Sequence, residues 1–472
     1  MLFNSIEFAL FLPIVFLLYW FVFKRNVRGQ NLFIVAASYL FYGWWDWRFL
    51  FLIAFTSFCS WGSGLIIKRY RGRPLSKTIH ILNIVLNLAI LGVFKYYDFF
   101  VTSFATTFLH RNAEGMLLNV VLPVGISFYT FQALSYSIDV FREKLEPTRD
   151  IVQFFAFVSF FPQLVAGPIE RATNLLPQFE KPRTFDYNQA VDGLRQILWG
   201  LFKKIAVADT CAAYVDYVFD AYQSQSGLTL SIAAVLFAFQ IYGDFSGYSD
   251  IAIGTAKLFG IKLMRNFNNP YFSRNIAEFW RRWHISLTTW FRDYVYIPLG
   301  GSRVSKAKIV RNTFVIFLLS GFWHGANWTF LAWGAYHALL FLPLILMGLN
   351  RKFTDEIAKN RLLPTWSEAL RILATFILVT IGWIIFRADN ISQAWQYIML
   401  IPHGGAPYLK GLAACSIYIL IMLVMEWIHR GRSHGFDLNC PHAVLRYILY
   451  YLLILVMFLA YSNSETFIYF QF

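Results

Sequence analysis

Residues 281–301 read "RRWHISLTTWFRDYVYIPLGG". The stretch sets Arg281, Arg282, His284, Arg292 and Asp293 among tryptophans, between segments apolar enough to cross a bilayer. Were it as apolar as its neighbours, the chain would be a plain bundle of spans. Polarity in that position instead predicts helices that enter the membrane or lie along its surface without crossing it. Asn275, followed three positions later by Glu278, supplies a helix start. Trp280, Trp283, Leu287, Trp290 and Phe291 then recur at helical spacing and form one apolar stripe. Arg281, Arg282, Thr289, Arg292 and Asp293 fall largely off that stripe, while His284 sits on its flank, beside Thr288 one turn on. The pattern predicts one amphipathic helix ending at Pro298 and the Gly300–Gly301 turn. An interfacial helix whose arginines reach up to lipid headgroups shows the same pattern, and that alternative stays open here.

The flanks decide the class. Hydrophobic residues make up 58% of the 472 and charged residues 14%, against about 25% charged in an ordinary soluble domain. Apolar runs such as "FALFLPIVFLLYWFVF" (8–23), "FLFLIAFTSFCSW" (49–61), "FILVTIGWIIF" (376–386) and "YLLILVMFLAY" (451–461) recur along the chain. Hydrocarbon offers a backbone no water, so such runs predict spanning helices. The expectation is an all-α polytopic membrane protein of about 10–12 membrane segments, with re-entrant or interfacial helices among them.

The net charge of +15 is clustered. Basic groups gather at 24–28, 68–77, 142–149, 171–183, 303–311, 351–361 and 430–432, which the positive-inside rule assigns to cytoplasmic loops and which turns the N-terminus outward. No basic soluble module exists, so a nucleic-acid partner is not expected. Cys59, Cys211, Cys415 and Cys440 show neither a C-x-x-C pair nor regular spacing, which argues against a disulfide framework and a zinc site. The first apolar run lacks a small-residue cleavage site and reads as a retained helix.

Residues 7 to about 140 read as four or five spans. The segment 154–171, "FFAFVSFFPQLVAGPIER", is interrupted by Pro162, Gly167 and Pro168 and has basic clusters on both sides, which predicts a re-entrant element. Asp244 and Asp250 lie inside the otherwise apolar "FQIYGDFSGYSDIAIG" (239–254). No repeat divides the chain, so one domain over 1–472 is expected, with a catalytic core at about 120–340.

A second polar signal is "SGFWHGANWTFLAWGAYHAL" (320–339), where His324 stands between two apolar runs. An ionisable group at membrane depth costs several kcal/mol unless it faces a cavity or a partner, so it points to function. A histidine satisfied by a carbonyl at a helix break is the plainer alternative. His337, well inside the next run, reads as structural. Two imidazoles with Ser, Asp and Tyr nearby suit acid–base chemistry, because a neutral imidazole can take the proton of an attacking alcohol. The chain has no H-E-x-x-H, no G-x-S-x-G and no G-x-x-x-x-G-K-[ST], which weakens zinc-peptidase, hydrolase and nucleotide-driven pump readings.

The stretches "FWRRWHISLTTWFRDYVYIPLGGSR" (279–303), "FWHGANWTFLAWGAYH" (322–337), "YGDFSGYSDIAIG" (242–254), "LPVGISFYTFQALSY" (122–136) and "FFPQLVAGPIER" (160–171), with the opening "LFNSIEFALFLPIVFLLYW" and the closing "FIYFQF", resemble the membrane-bound O-acyltransferase (MBOAT) family. Within it they are most similar to the bacterial branch that acetylates alginate. The resemblance runs essentially end to end. It implies a ring of tilted helices around a central tunnel, and it places the family's signature histidine at His324 and its second polar position at His284. It also implies an acyl group, acetyl for this branch, passed from a cytoplasmic thioester, acetyl-CoA or an acyl carrier protein, to an acceptor outside for acetylation of a cell-surface or exopolysaccharide such as alginate. A separate extracytoplasmic esterase-like (SGNH) acetyltransferase partner follows from the lack of any long outward loop.

On this reading His324 is the expected general base, with His284 positioning substrate or facing the oxyanion. No bound cofactor and no metal are expected. Gln132, Asp244, Tyr248, Ser249, Trp283, Ser286, Asp293, Tyr296, Trp323 and Asn327 are candidates for the tunnel lining, against an equal alternative of helix packing. Arg303, Lys306, Lys308 and Arg311 are candidates for the donor's mouth, although membrane topology alone would also produce them. The expected location is the bacterial cytoplasmic (inner) membrane. A transporter or flippase, or a non-catalytic scaffold of a polysaccharide export complex, stays open as an alternative.

Overall fold

The computed structural model describes residues 1–24, 26–165, 167–438 and 442–461, so Arg25, Cys440 and the closing "FIYFQF" lie outside the described residues. All regular elements among those described are helices. Six are long and apolar enough to cross a bilayer: Phe49–Arg69, Pro74–Leu109, Gly227–Leu258, Trp328–Leu346, Trp366–Arg387 and Ala443–Ala460. Two shorter apolar helices, Ile6–Val22 and Leu412–Ile428, accompany them. Val27–Asp46 and Lys306–His324 match them in length, at 20 and 19 residues, but carry more polar side chains. Many large apolar side chains face outward, and Ala443–Ala460 buries only Leu453. Water would not tolerate so much exposed hydrocarbon, whereas lipid does so freely. The chain is a multi-pass helical membrane protein.

Packing divides it into two compact units. The first comprises Met1–Leu194 and Ala252–Met264. Its core is aromatic: Phe161 meets Phe11 edge-on at 5.3 Å and Phe41 at 5.5 Å between ring centroids. Tyr19 Oη donates to the Phe259 carbonyl at 3.1 Å, and Trp20 Nε1 to that of Leu258 at 2.9 Å. The interrupted segment behaves as its helix breakers demand. The helix Ile151–Ser159 stops, Phe160 turns the chain at φ −52° and ψ 107°, and Phe161–Leu164 adds one more turn. Pro162 falls in the first turn of that piece, where a missing N–H costs nothing. The amide freed at Phe161 donates to Ser38 Oγ at 3.0 Å. Gly167 then passes so close to Gln163 that an added Cβ would lie 2.5 Å from its Cα.

The second unit comprises Arg195–Ile251 and Arg265–Phe472. Its frame is the antiparallel hairpin of Lys306–His324 and Trp328–Leu346. Two glycines let these helices touch: a Cβ at Gly321 would come within 2.1 Å of the Phe330 carbonyl oxygen, and one at Gly334 within 2.4 Å of that of Phe317. Asn327 caps the second helix by accepting from the Thr329 amide at 3.0 Å. Two adjacent lysines buried in this unit are paired. Lys204 Nζ lies 2.7 Å from Asp209 and 2.9 Å from Asp244, while Lys203 Nζ lies 2.5 Å from Asp250.

Candidate active site

The two histidines of interest both belong to the second unit. Their ring centroids lie 6.5 Å apart. His324 closes the helix Lys306–His324, because Gly325 leaves the helical region at φ −169°. Its ring is walled by Trp323 at 5.0 Å, Trp333 at 5.2 Å and Phe386 at 5.4 Å. Trp323 also meets His284 at 5.7 Å, so one indole borders both imidazoles. His284 and His324 are 1% and 3% exposed.

His284 reaches this position through a break that periodicity did not reveal. The single amphipathic helix expected from residue 275 onward is two, Ile276–Arg282 and Ile285–Phe291, the second running on through a wider turn, Arg292–Tyr296. Between them His284 adopts the left-handed conformation, φ 42° and ψ 55°, which is costly for a residue with a Cβ. The reason is pairing with a distant segment. The Asn268 amide donates to the Arg282 carbonyl at 2.9 Å, and the Ile285 amide donates to the Asn266 carbonyl at 2.8 Å. Residues 266–268 thus satisfy backbone groups that a continuous helix would have satisfied internally. The break turns the imidazole inward, edge-on to Phe245 at 4.6 Å.

Asn266 grips the histidine as well as the backbone. Its Oδ1 lies 3.1 Å from His284 Nδ1 and accepts from Ser286 Oγ at 2.8 Å. Its Nδ2 donates to Ser249 Oγ at 3.0 Å. Burial away from water holds the His284 imidazole far below its ordinary range, at about 3, so it is neutral at physiological pH. His284 lies between the short helices, outside the candidate membrane-spanning helices.

The remaining candidates separate. Ser249 and Ser286 join His284 through Asn266, and Trp323 borders both rings. Trp283 belongs to the aromatic core, 4.9 Å from Trp383. Asp244 faces Lys204, whose ammonium also sits 5.7 Å from the Tyr248 ring centre. Asp293 pairs with Arg292 at 2.7 Å. Asn327 spends its amide on the Asp389 carbonyl at 2.9 Å, as well as capping its helix. Gln132 belongs to the first unit, where it donates to Gln163 Oε1 at 2.7 Å. His337, fully buried, stands between Trp280 and Trp333, each 5.0 Å away.

A cavity of about 470 Å³ lies beside the pair. Ile285 and Thr288 line it on one side and Ser320 on another, so it comes within one helical turn of each histidine, although neither ring forms its wall. Its lining is mostly apolar, with Tyr296, Arg281, Arg292 and Arg351 supplying polarity. Arg303, Lys306, Lys308 and Arg311 do not line it: all four are exposed, and Arg311 donates to Asn312 Oδ1. Sequence reasoning missed Asn266, Ser320 and Arg351. Asn266 carried a faint signal, a polar residue in the buried-looking run "NFNNP" (266–270).

The model of the MBOAT, membrane-bound O-acyltransferase family matches residues 63–372, which include both histidines. The chain is 42% identical over 400 residues to the probable alginate O-acetylase AlgI of Pseudomonas aeruginosa, covering 84% of this chain and 74% of that one. It is 35% identical over 446 residues to the peptidoglycan O-acetyltransferase of Helicobacter pylori, covering 88% and 82%. A more distant similarity, 29% over 280 residues, joins it to the teichoic acid D-alanyltransferase of Bacillus subtilis, covering 57% and 69%.

Proposed function

The chain belongs to the membrane-bound O-acyltransferase family and is a membrane O-acyltransferase, and from that premise we propose that it passes acetyl groups from a cytoplasmic thioester to an acceptor hydroxyl for acetylation of a surface or secreted glycan. The observation that carries the reading is the meeting of His284 and His324, forty positions apart in sequence, with 6.5 Å between buried rings. The relatives named for alginate and peptidoglycan O-acetylation favour acetyl as the group and a polysaccharide as its destination.

The chemistry asks for two things. The hydroxyl oxygen forms the new C–O bond as its proton leaves, and the carbonyl oxygen bears negative charge until the C–S bond breaks. One imidazole takes the proton and the other faces the oxyanion. The proton then passes to the departing thiolate, which returns the pair to its resting state. The aromatic wall of Trp323, Trp333 and Phe386 keeps water away from the acyl carbon. The cavity, apolar within and bearing Arg281, Arg292 and Arg351, suits the arm of acetyl-CoA or an acyl carrier protein, with the basic cluster Arg303, Lys306, Lys308 and Arg311 drawing in its phosphates.

The location we assign is the bacterial cytoplasmic membrane. An extracytoplasmic esterase-like partner of the SGNH type completes transfer to the polymer.

The test uses membranes carrying the full chain and radiolabelled acetyl-CoA, with label counted on polymer and on protein acceptors. Wild type should transfer label and His324→Ala should lose it, with helicity unchanged. Near-normal transfer by His324→Ala would sink the assignment.

A further inference from the structure

We infer that Asn266 is a positioning residue that locks His284 in the tautomer with hydrogen on Nδ1, leaving the Nε2 lone pair to accept the acceptor hydroxyl's proton. The consequence for catalysis rests on the acyl-transfer reading, but the tautomer itself does not.

The argument begins at a group whose role is fixed. The Ser286 backbone amide can only donate, and it lies 3.3 Å from the Asn266 side chain. The atom facing it is therefore the amide oxygen, because a carboxamide nitrogen there would set donor against donor. The Ser286 hydroxyl at 2.8 Å and the donation from Nδ2 to Ser249 agree with that orientation. The same oxygen lies 3.1 Å from His284 Nδ1. An amide oxygen cannot donate, so Nδ1 must carry hydrogen. Ser286 Oγ, 3.4 Å from Nδ1, gives its proton to Asn266 and does not compete.

A neutral imidazole with hydrogen on Nδ1 keeps a lone pair on Nε2. That nitrogen is buried and has no hydrogen-bond partner among the described residues. Leaving a buried polar atom unpaired is costly. The left-handed backbone at His284 adds strain, so the chain maintains an unsatisfied acceptor in a strained loop. Such an atom is ready for a proton donor, and the hydroxyl of an acceptor is one.

The role suggested for His284 by sequence alone thereby changes. A bare lone pair cannot donate to an oxyanion, so His284 in this tautomer takes the proton. After transfer Nε2 holds the proton and Nδ1 still donates to Asn266. An amide oxygen is neutral and stabilises the imidazolium only modestly, so His284 releases the proton readily to the thiolate. A carboxylate at residue 266 would hold it.

The test is performed on the full chain in lipid nanodiscs. Solid-state nitrogen-15 spectra of histidine-labelled protein are recorded, and the His284 signals are assigned by their loss in His284→Gln. A protonated-type Nδ1 with a lone-pair-type Nε2 is expected, and the opposite tautomer overturns the inference whatever the activity. The second arm measures radiolabelled acetyl transfer from acetyl-CoA against pH. Asn266→Asp keeps shape and acceptor but adds charge, so it should introduce an acidic limb between pH 5 and 8 that wild type lacks. Asn266→Ala should lower maximal turnover at least tenfold with little change in half-saturating donor. If Asn266→Asp folds and its pH profile superimposes on wild type, the positioning role is refuted. Loss of transfer in wild type itself would instead count against the acyl-transfer reading.

Discussion

Two polar clusters are buried in the second unit, and they are built on opposite principles. Around Lys203 and Lys204 each ammonium has carboxylates within 3 Å, and Ser246 and Gln196 add further hydrogen bonds. Around His284 the contacts are with neutral groups, the Asn266 amide and aromatic rings, and among the described residues its Nε2 has no hydrogen-bond partner. The first cluster spends its polarity on itself and holds helices together. The second withholds polarity and so can spend it on a substrate. Burial does not distinguish the two, since both are nearly inaccessible; the first sets charge against charge, whereas His284 keeps one ring nitrogen open.

That contrast is breakable. The largest effect should come from His284→Gln, which keeps side-chain bulk but not proton-transfer chemistry. Acetyl transfer should fall about 10²–10⁴-fold, while thermal unfolding in detergent stays close to wild type. A large drop in stability with partial activity would place His284 in the structural class. Lys204→Met should do the reverse by removing the ammonium that the buried Asp209 and Asp244 share, at a cost of about 3–5 kcal/mol. Fluorescence-detected size exclusion after heating reads this, and an unchanged melting point would remove the distinction.

Acidification offers a subtler probe. The unfolded chain's imidazole titrates near its ordinary value of 6.5, whereas folding holds His284 at about 3 by excluding water. Below pH 6.5 the unfolded state therefore takes up a proton that the folded state refuses. Its contribution to stability is constant above that pH and falls by about 1.4 kcal/mol per unit as pH drops toward 3. Comparing denaturation of wild type and His284→Gln at pH 7.5 and 5 isolates the contribution, and equal slopes would contradict it. The smallest effect belongs to Asn327→Ala. Loss of this cap should cost about 1 kcal/mol and leave transfer nearly intact, measured by melting point and label counts.

Much of this was legible in the amino-acid order. Runs of apolar residues announce helices in lipid because the bilayer permits little else, and Pro162, Gly167 and Pro168 announce the broken segment. His284 and His324 stood out because imidazoles are rare among such neighbours. The break at His284 was not legible. Trp280, Trp283, Leu287 and Trp290 keep a helical rhythm through it, since one left-handed residue disturbs phase too little to be noticed. Its cause, pairing with residues 266–268, is a contact across the fold that local pattern does not encode. Asn266 was hidden for the same reason. Asn327 and Asp293 show their partners only in the fold: the Thr329 amide and Asp389 carbonyl for one, the neighbouring Arg292 for the other.

The helical pieces on either side of His284 carry one more implication. At about 1.5 Å of rise per residue, neither approaches the thickness of a bilayer's hydrocarbon, even with the extension Arg292–Tyr296 counted. Lipid therefore cannot fix their seat; the backbone of residues 266–268 does.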